Sequence, residues 1–164
     1  MTYEVYNAPI GPLLIKEDDG HIVEVSFMEA DTRPGFRDDT PLLHSSGTSA
    51  IIANCIRELD AYFSGILREF TVPIKLNGTD FQKRTWAALM TIPYGNTISY
   101  KQLAKRIGQP NAARAVGSAN NRNPISIIVP CHRVVGANGA LVGYGGGLGN
   151  KEFLLELEKA QTCI

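Results

Sequence analysis

Cys131 is followed by His132 and Arg133 and preceded by Ile127-Ile128-Val129-Pro130, so a thiol ends an apolar run with a base and a fixed cation beside it. Thiols react as thiolates, and a free cysteine with a pKa of about 8.5 needs a neighbouring positive charge, a helix N-terminus or a base to ionise at neutral pH. His132 and Arg133 are residue types that supply such help. The competing reading is an inert core cysteine, because adjacency in sequence is not contact in space, and the residues alone leave both open.

The remaining chemistry-bearing residues narrow the class. Cys55, Cys131 and Cys163 are too few and too scattered for a disulfide framework, which suits a reducing compartment. His21, His44 and His132 lack the spacing of zinc sites, so no metal is expected. No apolar stretch approaches the roughly 18 residues of a membrane span, and no leader pattern opens the chain, so a cytoplasmic protein with no membrane partner is expected.

The net charge of zero conceals a division. Residues 1–75 carry 12 acidic against 6 basic side chains, whereas residues 76–164 carry 4 against 10. Between Phe81 and Lys151 there is no acid at all and there are nine lysines and arginines, a one-sided field that suits a polyanion. Nucleic acid is the partner this favours over two unrelated solvated surfaces.

The elements that must position Cys131 can be read from pattern. Thr2–Tyr6, Leu13–Lys16 and Ile22–Phe27 read as strands, with a turn at Pro9–Pro12 and an Asp19-Gly20 hairpin signal between them. Residues 29–47 read as a surface loop, and Ile51 to Phe63 as a helix with Gly65 at its end and Cys55 on its core stripe. Phe70–Ile74 reads as a last short strand, and Asn77-Gly78 as the boundary between domains at 1–77 and 78–164.

Beyond the boundary, Thr79 with Gln82 and Ser99 with Gln102 are capping boxes. The first opens a helix to Met90 that packs Trp86 inward, and the second a short helix stopping at Gly108. Asn111 is expected to cap a helix over Ala112–Asn121, completing a helix-turn-helix. Asn123-Pro124 should end that helix and start a strand towards Cys131. The second helix is built of alanine, glycine and serine, which favours close backbone packing over base readout.

Pro130-Cys131-His132-Arg133-Val134, with Asn123-Pro124 and Ala113-Arg114-Ala115-Val116-Gly117 before it, resembles the DNA alkyltransferases that repair O6-alkylguanine. The resemblance covers about Phe81 to Glu158 and extends to the family's small N-terminal domain. It implies an α/β N-terminal domain, ribonuclease H-like, followed by a mainly α domain with a helix-turn-helix. It further implies a single-turnover methyltransferase acting on double-stranded DNA, without cofactor and without an obligatory protein partner. Cys131 would then be nucleophile and final acceptor, His132 the base, and Glu158 its carboxylate partner, with Glu156 a nearby competitor.

By the same resemblance Arg114 is the intercalating finger that replaces a flipped base, Tyr100 contacts the guanine, and Asn123 is a hinge. Tyr144, Gly145 and Gly146 belong to a glycine-rich pocket wall, and Val134 and Arg122 complete the expected substrate and DNA contacts. Gly145, Ser126 and Asn120 depart from residues that other members carry, which leaves substrate breadth and activity on O4-alkylthymine open. Two other classes compete: a lesion-recognition or helix-turn-helix binding protein, whose function would survive Cys131→Ser, and a cysteine hydrolase that would turn over repeatedly and ignore DNA.

Overall fold

A computed structural model describes residues 2–28, 49–142, 144 and 147–162. His44 and Cys163, the loop expected at 29–47, and Gly145 and Gly146 of the expected pocket wall lie outside the described residues. The chain divides into two units, Met1–Lys75 and Leu76–Ile164.

In the first unit β1 (Thr2–Ala8), β2 (Gly11–Asp18) and β3 (His21–Phe27) form an antiparallel meander. The turn between β1 and β2 is shorter than expected, since Gly11 and Pro12 already pair with Ala8 and Asn7. Asp19 and Gly20 both have positive φ, as a tight hairpin turn with right-handed strand twist requires. Leu13 and Ile15 are buried at period two, whereas Ile22 and Val25 are buried three apart. A register shift at Lys16/Glu17 lets both face inward, because an extra residue flips the alternation. Against this face lies α1 (Ala50–Phe63), whose Ile52, Cys55, Leu59 and Tyr62 are fully buried.

The strand expected at Phe70–Ile74 is absent. Only Ile74 bridges to Ile22, through Ile22 N–H to Pro73 O and Lys75 N–H to Ile22 O. Pro73 has no N–H to extend a ladder, and the N–H groups of Thr71 and Val72 are taken by the Glu58 carboxylate.

In the second unit α2 (Asp80–Leu89) and α3 (Tyr100–Arg106) both start at complete capping boxes. Trp86 on α2 is buried and donates Nε1–H to Ala119 O at 2.8 Å, on α4 (Ala113–Asn121). The turn from α3 to α4 uses Gly108 at φ +77°, and Gln109 N–H closes on Ala104 O. Asn111 does not cap α4. The turn ends with Ala112 N–H on Gln109 O, which makes Ala112 the cap residue, and alanine has no side-chain acceptor to offer. Val116, Ala119 and Asn120 face the core and leave Arg114, Ala115 and Ser118 outward.

After α4 the chain was expected to run as a strand into Cys131, and the burial is as that reading requires: Ile125, Ile127, Ile128 and Val129 are all buried. The conformation is a chain of tight turns instead. Ile128 N–H bonds Ser126 O, Val129 N–H bonds Ile125 O and Cys131 N–H bonds Val129 O, so these groups are satisfied locally. Ile127 sits at φ +73°, a sparsely populated region for a β-branched residue. A 3₁₀ turn (Cys131–Arg133) follows, then β5 (Val134–Val135), which pairs in parallel with β4 (Ile98–Ser99) just before α3. A second 3₁₀ turn (Ala137–Gly139) leads on to α5 (Leu148–Thr162).

Candidate active site

Cys131 opens its 3₁₀ turn with 3% of its surface exposed, and His132 and Arg133 beside it are buried at 0% and 7%. One turn of chain therefore withdraws a thiol, an imidazole and a guanidinium from water together. Such burial is tolerated only where the charges are paired and the polar groups bonded.

The partner comes from α5. Glu158, 1% exposed, receives His132 Nε2 at 2.5 Å on Oε2. Arg133 donates Nε–H to Oε1 at 2.7 Å and Nη2–H to Oε2 at 3.2 Å, and Gly95 N–H reaches Oε1 at 3.2 Å. Burial alone would raise the Glu158 pKa, but the hydrogen bonds and charges of His132 and Arg133 outweigh it and hold the carboxyl well below the usual range. Glu156, the alternative carboxylate, is exposed.

Burial pushes the His132 pKa down, and Arg133 and Lys151 add to that against the pull of Glu158, so the imidazole is neutral. With Nε2–H donating to Glu158, the lone pair is on Nδ1, a buried atom without a hydrogen-bond partner among the described residues. Burial likewise pushes the Cys131 thiol up, opposed by hydrogen bonds from Asn123 and Tyr144 and by the Lys151 charge. The resting pair is thus a thiol and a neutral imidazole. An imidazole protonated at Nδ1 would be stabilised as the imidazolium by Glu158.

Asn123 ties the turn segment from within. Its Nδ2–H donates to Val129 O at 2.7 Å and its Oδ1 accepts from Ile125 N–H at 3.0 Å. Asn120, at the inner end of α4, donates Nδ2–H to Cys131 O at 3.3 Å. The helix pair and the thiol are therefore bonded through two side-chain amides.

Tyr100 is the first residue of α3 and donates its hydroxyl to Val142 O at 2.8 Å. Lys151 on α5, fully buried, donates to the same oxygen at 3.1 Å and to Val134 O at 2.5 Å. Its ammonium lies 5.9 Å from the ring centroids of both Tyr100 and Tyr144. Burial lowers the Lys151 pKa and raises those of the two tyrosines, with the charge of Cys131 acting on all three. Cys131, His132, Glu158, Asn123, Tyr100, Tyr144 and the Val134 carbonyl thus form one connected cluster. Arg114 and Arg122 do not join it; both are exposed, at the start and just past the end of α4.

Sequence reasoning counted Lys151 and Arg133 in the field that suits a polyanion, but both are buried, and it foresaw neither the charge pairing of Arg133 nor any role for Gly95. A lysine in a helix reads as a solvated charge, and nothing in its neighbours signals that two carbonyls await it. Gly95 carried a signal of a kind in the Pro93-Tyr94-Gly95-Asn96 turn. Its φ is +82°, and an added Cβ would stand 2.5 Å from Thr162 Cγ2, so a side chain there would disturb the donor to Glu158.

The chain is similar to known proteins over nearly its whole length. The family model described as 6-O-methylguanine DNA methyltransferase, ribonuclease-like domain, matches residues 1–76, and the DNA binding domain of the same name matches 80–160. The methylated-DNA–protein-cysteine methyltransferase of Mycobacterium tuberculosis is 48% identical over 160 residues, covering 98% of this chain and 93% of that protein. Its namesake from Methanosarcina acetivorans is 48% identical over 158 residues, covering 96% and 98%. The crystal structure of M. tuberculosis OGT in complex with DNA superposes with a TM-score of 0.85 at 46% identity, covering 98% of this chain and 94% of that one. With both units matched over nearly their whole length, the chain belongs to the 6-O-methylguanine DNA methyltransferase family.

Proposed function

We propose that this protein repairs DNA by moving a methyl or other small alkyl group from O6 of guanine to the sulfur of Cys131. The sulfur attacks the alkyl carbon and forms a thioether while the carbon–O6 bond breaks. The electron pair goes to the guanine, which takes up a proton. A thioether is not cleaved by any group in the cluster, so each molecule acts once and needs no cofactor.

His132 Nδ1 takes the thiol proton, directly or through one water, and Glu158 stabilises the imidazolium. Tyr100 and Lys151 stand where charge develops on the departing base, and the Tyr100 hydroxyl supplies it with a proton. Asn123 holds the segment that carries the thiol. Tyr144 and the Val134 carbonyl contact the base, with Gly145 and Gly146 in the same wall. Residues 78–164 bind double-stranded DNA, a separate α/β domain occupies 1–77, and the target nucleotide is rotated out of the stack. Arg114 takes its place and Arg122 meets phosphate.

The single observation carrying this reading is a buried Cys131 whose chain neighbour His132, buried as well, is oriented by Glu158 at 2.5 Å. The test is incubation with a duplex bearing one O6-methylguanine, followed by intact mass and peptide mapping. One methyl on the Cys131 peptide, guanine restored and no second turnover, is the expected result. Unchanged mass with retained binding to the lesion duplex would make the protein a lesion-recognition factor.

A further inference from the structure

Of the nine cations in the acid-free stretch from Phe81 to Lys151, Arg133 and Lys151 are buried and cannot meet a ligand at the surface. Three others stand on α3, and they differ. Arg106 donates Nη1–H to Thr91 Oγ1 at 2.8 Å, which ties its guanidinium to the chain just past α2. Lys101 and Lys105 are exposed and have no hydrogen bond or ion pair among the described residues. Four residues apart, they follow one another on the same side of the helix with a rise of about 6 Å. No acid on α3, on α4 or in the turn between them opposes their charge.

A pair of exposed lysines is ordinarily a solvated surface; the place of this one sets it apart. Tyr100, which opens α3 and joins the site through Val142 O, is half-buried, and Gly117 in the middle of α4 lies against its ring. A Cβ on Gly117 would stand 3.6 Å from Tyr100 Cδ1. The start of α3 and the middle of α4 therefore meet at Tyr100. Lys101 is the next residue after that junction, and Lys105 continues its edge one turn on. A base rotated out of the stack stays joined to its own sugar and phosphates, so a base in contact with Tyr100 brings those phosphates to this edge. Lysine is a point charge on a flexible stem, which suits phosphate oxygens that shift as the nucleotide turns.

We propose that Lys101 and Lys105 form a phosphate grip on the strand that carries the lesion, holding the backbone of the target nucleotide against the start of α3 while its base is turned in. This deepens the function proposed above and rests on it. Both are positioning residues, since neither meets the alkyl group or the sulfur.

The test compares the full chain with Lys101→Gln/Lys105→Gln, Lys101→Arg/Lys105→Arg and Arg106→Gln. Binding to an undamaged duplex is followed by fluorescence anisotropy between 50 and 200 mM salt, and single-turnover methyl transfer from a limiting O6-methylguanine duplex by intact mass. Each phosphate contact contributes about 0.9 to the slope of log affinity against log salt. Loss of two should flatten the slope by about 1.8, so the four-fold rise in salt weakens wild-type binding about 12-fold more than binding of the glutamine pair. Methyl transfer by the glutamine pair should slow by about ten-fold or more at the lower salt. The arginine pair keeps both charges and should keep both slope and rate. Arg106→Gln removes one charge from the same helix and should flatten the slope by less than about 0.5.

An unchanged slope in the glutamine pair overturns the assignment. So does a loss in Arg106→Gln equal to that for each lysine, which would mark a diffuse field, or an equal loss in the arginine pair, which would mark packing. Should the double variant fail to fold, Lys101→Gln and Lys105→Gln decide singly, each expected to flatten the slope by about 0.9. Wild-type protein that takes no methyl from an O6-methylguanine duplex would overturn the proposed function, and the salt dependence of binding would still decide the grip.

Discussion

Replacing Asn123 by alanine removes two hydrogen bonds that hold the segment carrying the thiol. Val129 O and Ile125 N–H, its partners at 2.7 and 3.0 Å, belong to residues with no exposed surface; Val129 O keeps its bond from Cys131 N–H, whereas Ile125 N–H is orphaned. The orphaned N–H costs about 1–3 kcal/mol, and the bond lost at Val129 O, whose acceptor keeps another donor, about 0.5–1.5 kcal/mol. Asn123 itself is half-buried and admits some water, which places the total near the lower end, about 2–3 kcal/mol. The same two bonds hold Ile127 at positive φ, so their loss also frees a strained residue to relax away from the turn.

For a unit of this size 1 kcal/mol moves the melting temperature by about 4–8 °C, so Asn123→Ala should melt roughly 10–20 °C lower. Methyl transfer should slow as well, because the amide also bonds the Cys131 thiol and holds its pKa down. Asn123→Asp is the control. Its carboxylate still accepts from Ile125 N–H but meets Val129 O as a second acceptor, and only on protonation, near or above an ordinary aspartate pKa of about 3.9, can it donate there. The gap between the Asp and Ala variants should therefore shift in favour of Asp as pH falls from 7 to 4.5. Calorimetry with intact-mass kinetics reads both effects. A melting point for Asn123→Ala within about 2 °C of the wild type, less than one weak hydrogen bond, would refute the accounting.

Glu158→Gln breaks a buried ion pair and should cost about 3–5 kcal/mol, while methyl transfer falls by about 10²-fold or more through loss of the oriented base; a single-turnover rate equal to the wild type would count against the relay. Its pH dependence has a definite sign. The Glu158 carboxyl is depressed in the folded state, so its contribution is present above the unfolded value of about 4.3 and is lost as pH falls towards the folded value. His132 is also depressed, so the unfolded chain binds its proton first and stability already declines below about pH 6.5. The stability difference between wild type and Glu158→Gln in denaturant titrations should thus shrink below about pH 5, and a constant difference would contradict the assignment. Arg114→Ala, an exposed change, should leave stability within about 0.5 kcal/mol while weakening duplex binding and flattening its salt dependence; unaltered binding at low salt would remove Arg114 from the interface. Cys55, buried on α1 with its pKa pushed up to about 12, should resist iodoacetamide until denaturant is added, and rapid native labelling would show that its helix opens.

The elements legible in the sequence are those whose cause is local. The Thr79/Gln82 and Ser99/Gln102 boxes mark the starts of α2 and α3 because a capping box is made by residues three apart. The stripe through Ile52, Cys55, Leu59 and Tyr62 is likewise written in one helix. What failed depends on side chains that take backbone groups a ladder would need. Ile127–Val129 has the composition of a strand and the burial of one, but Asn123 takes the carbonyl a ladder would need. Phe70–Ile74 loses its pairing to Glu58, which lies 13 residues before Thr71 on α1. In the site, the adjacency of Cys131 and His132 is visible at once. The choice between Glu158 and Glu156 was open until α5 was placed, since two residues, about half a turn of helix, decide which reaches inward. Lys151 was invisible for the same reason.

The sequence separations within the site also order its assembly. Cys131 and His132 are neighbours, but Glu158 lies 26 residues further on and Tyr100 precedes them by a comparable span. β4 and β5, which fasten the start of α3 to the segment just past the thiol, come from equally distant stretches. Contacts between distant stretches form late, because the closure entropy of the intervening chain must be overcome before they contribute. Helices with local caps can form earlier, around a thiol that has neither its oriented base nor its lysine. A nascent or partly refolded chain would thus carry the cysteine without the chemistry, and the reagent is armed only by completion of the fold.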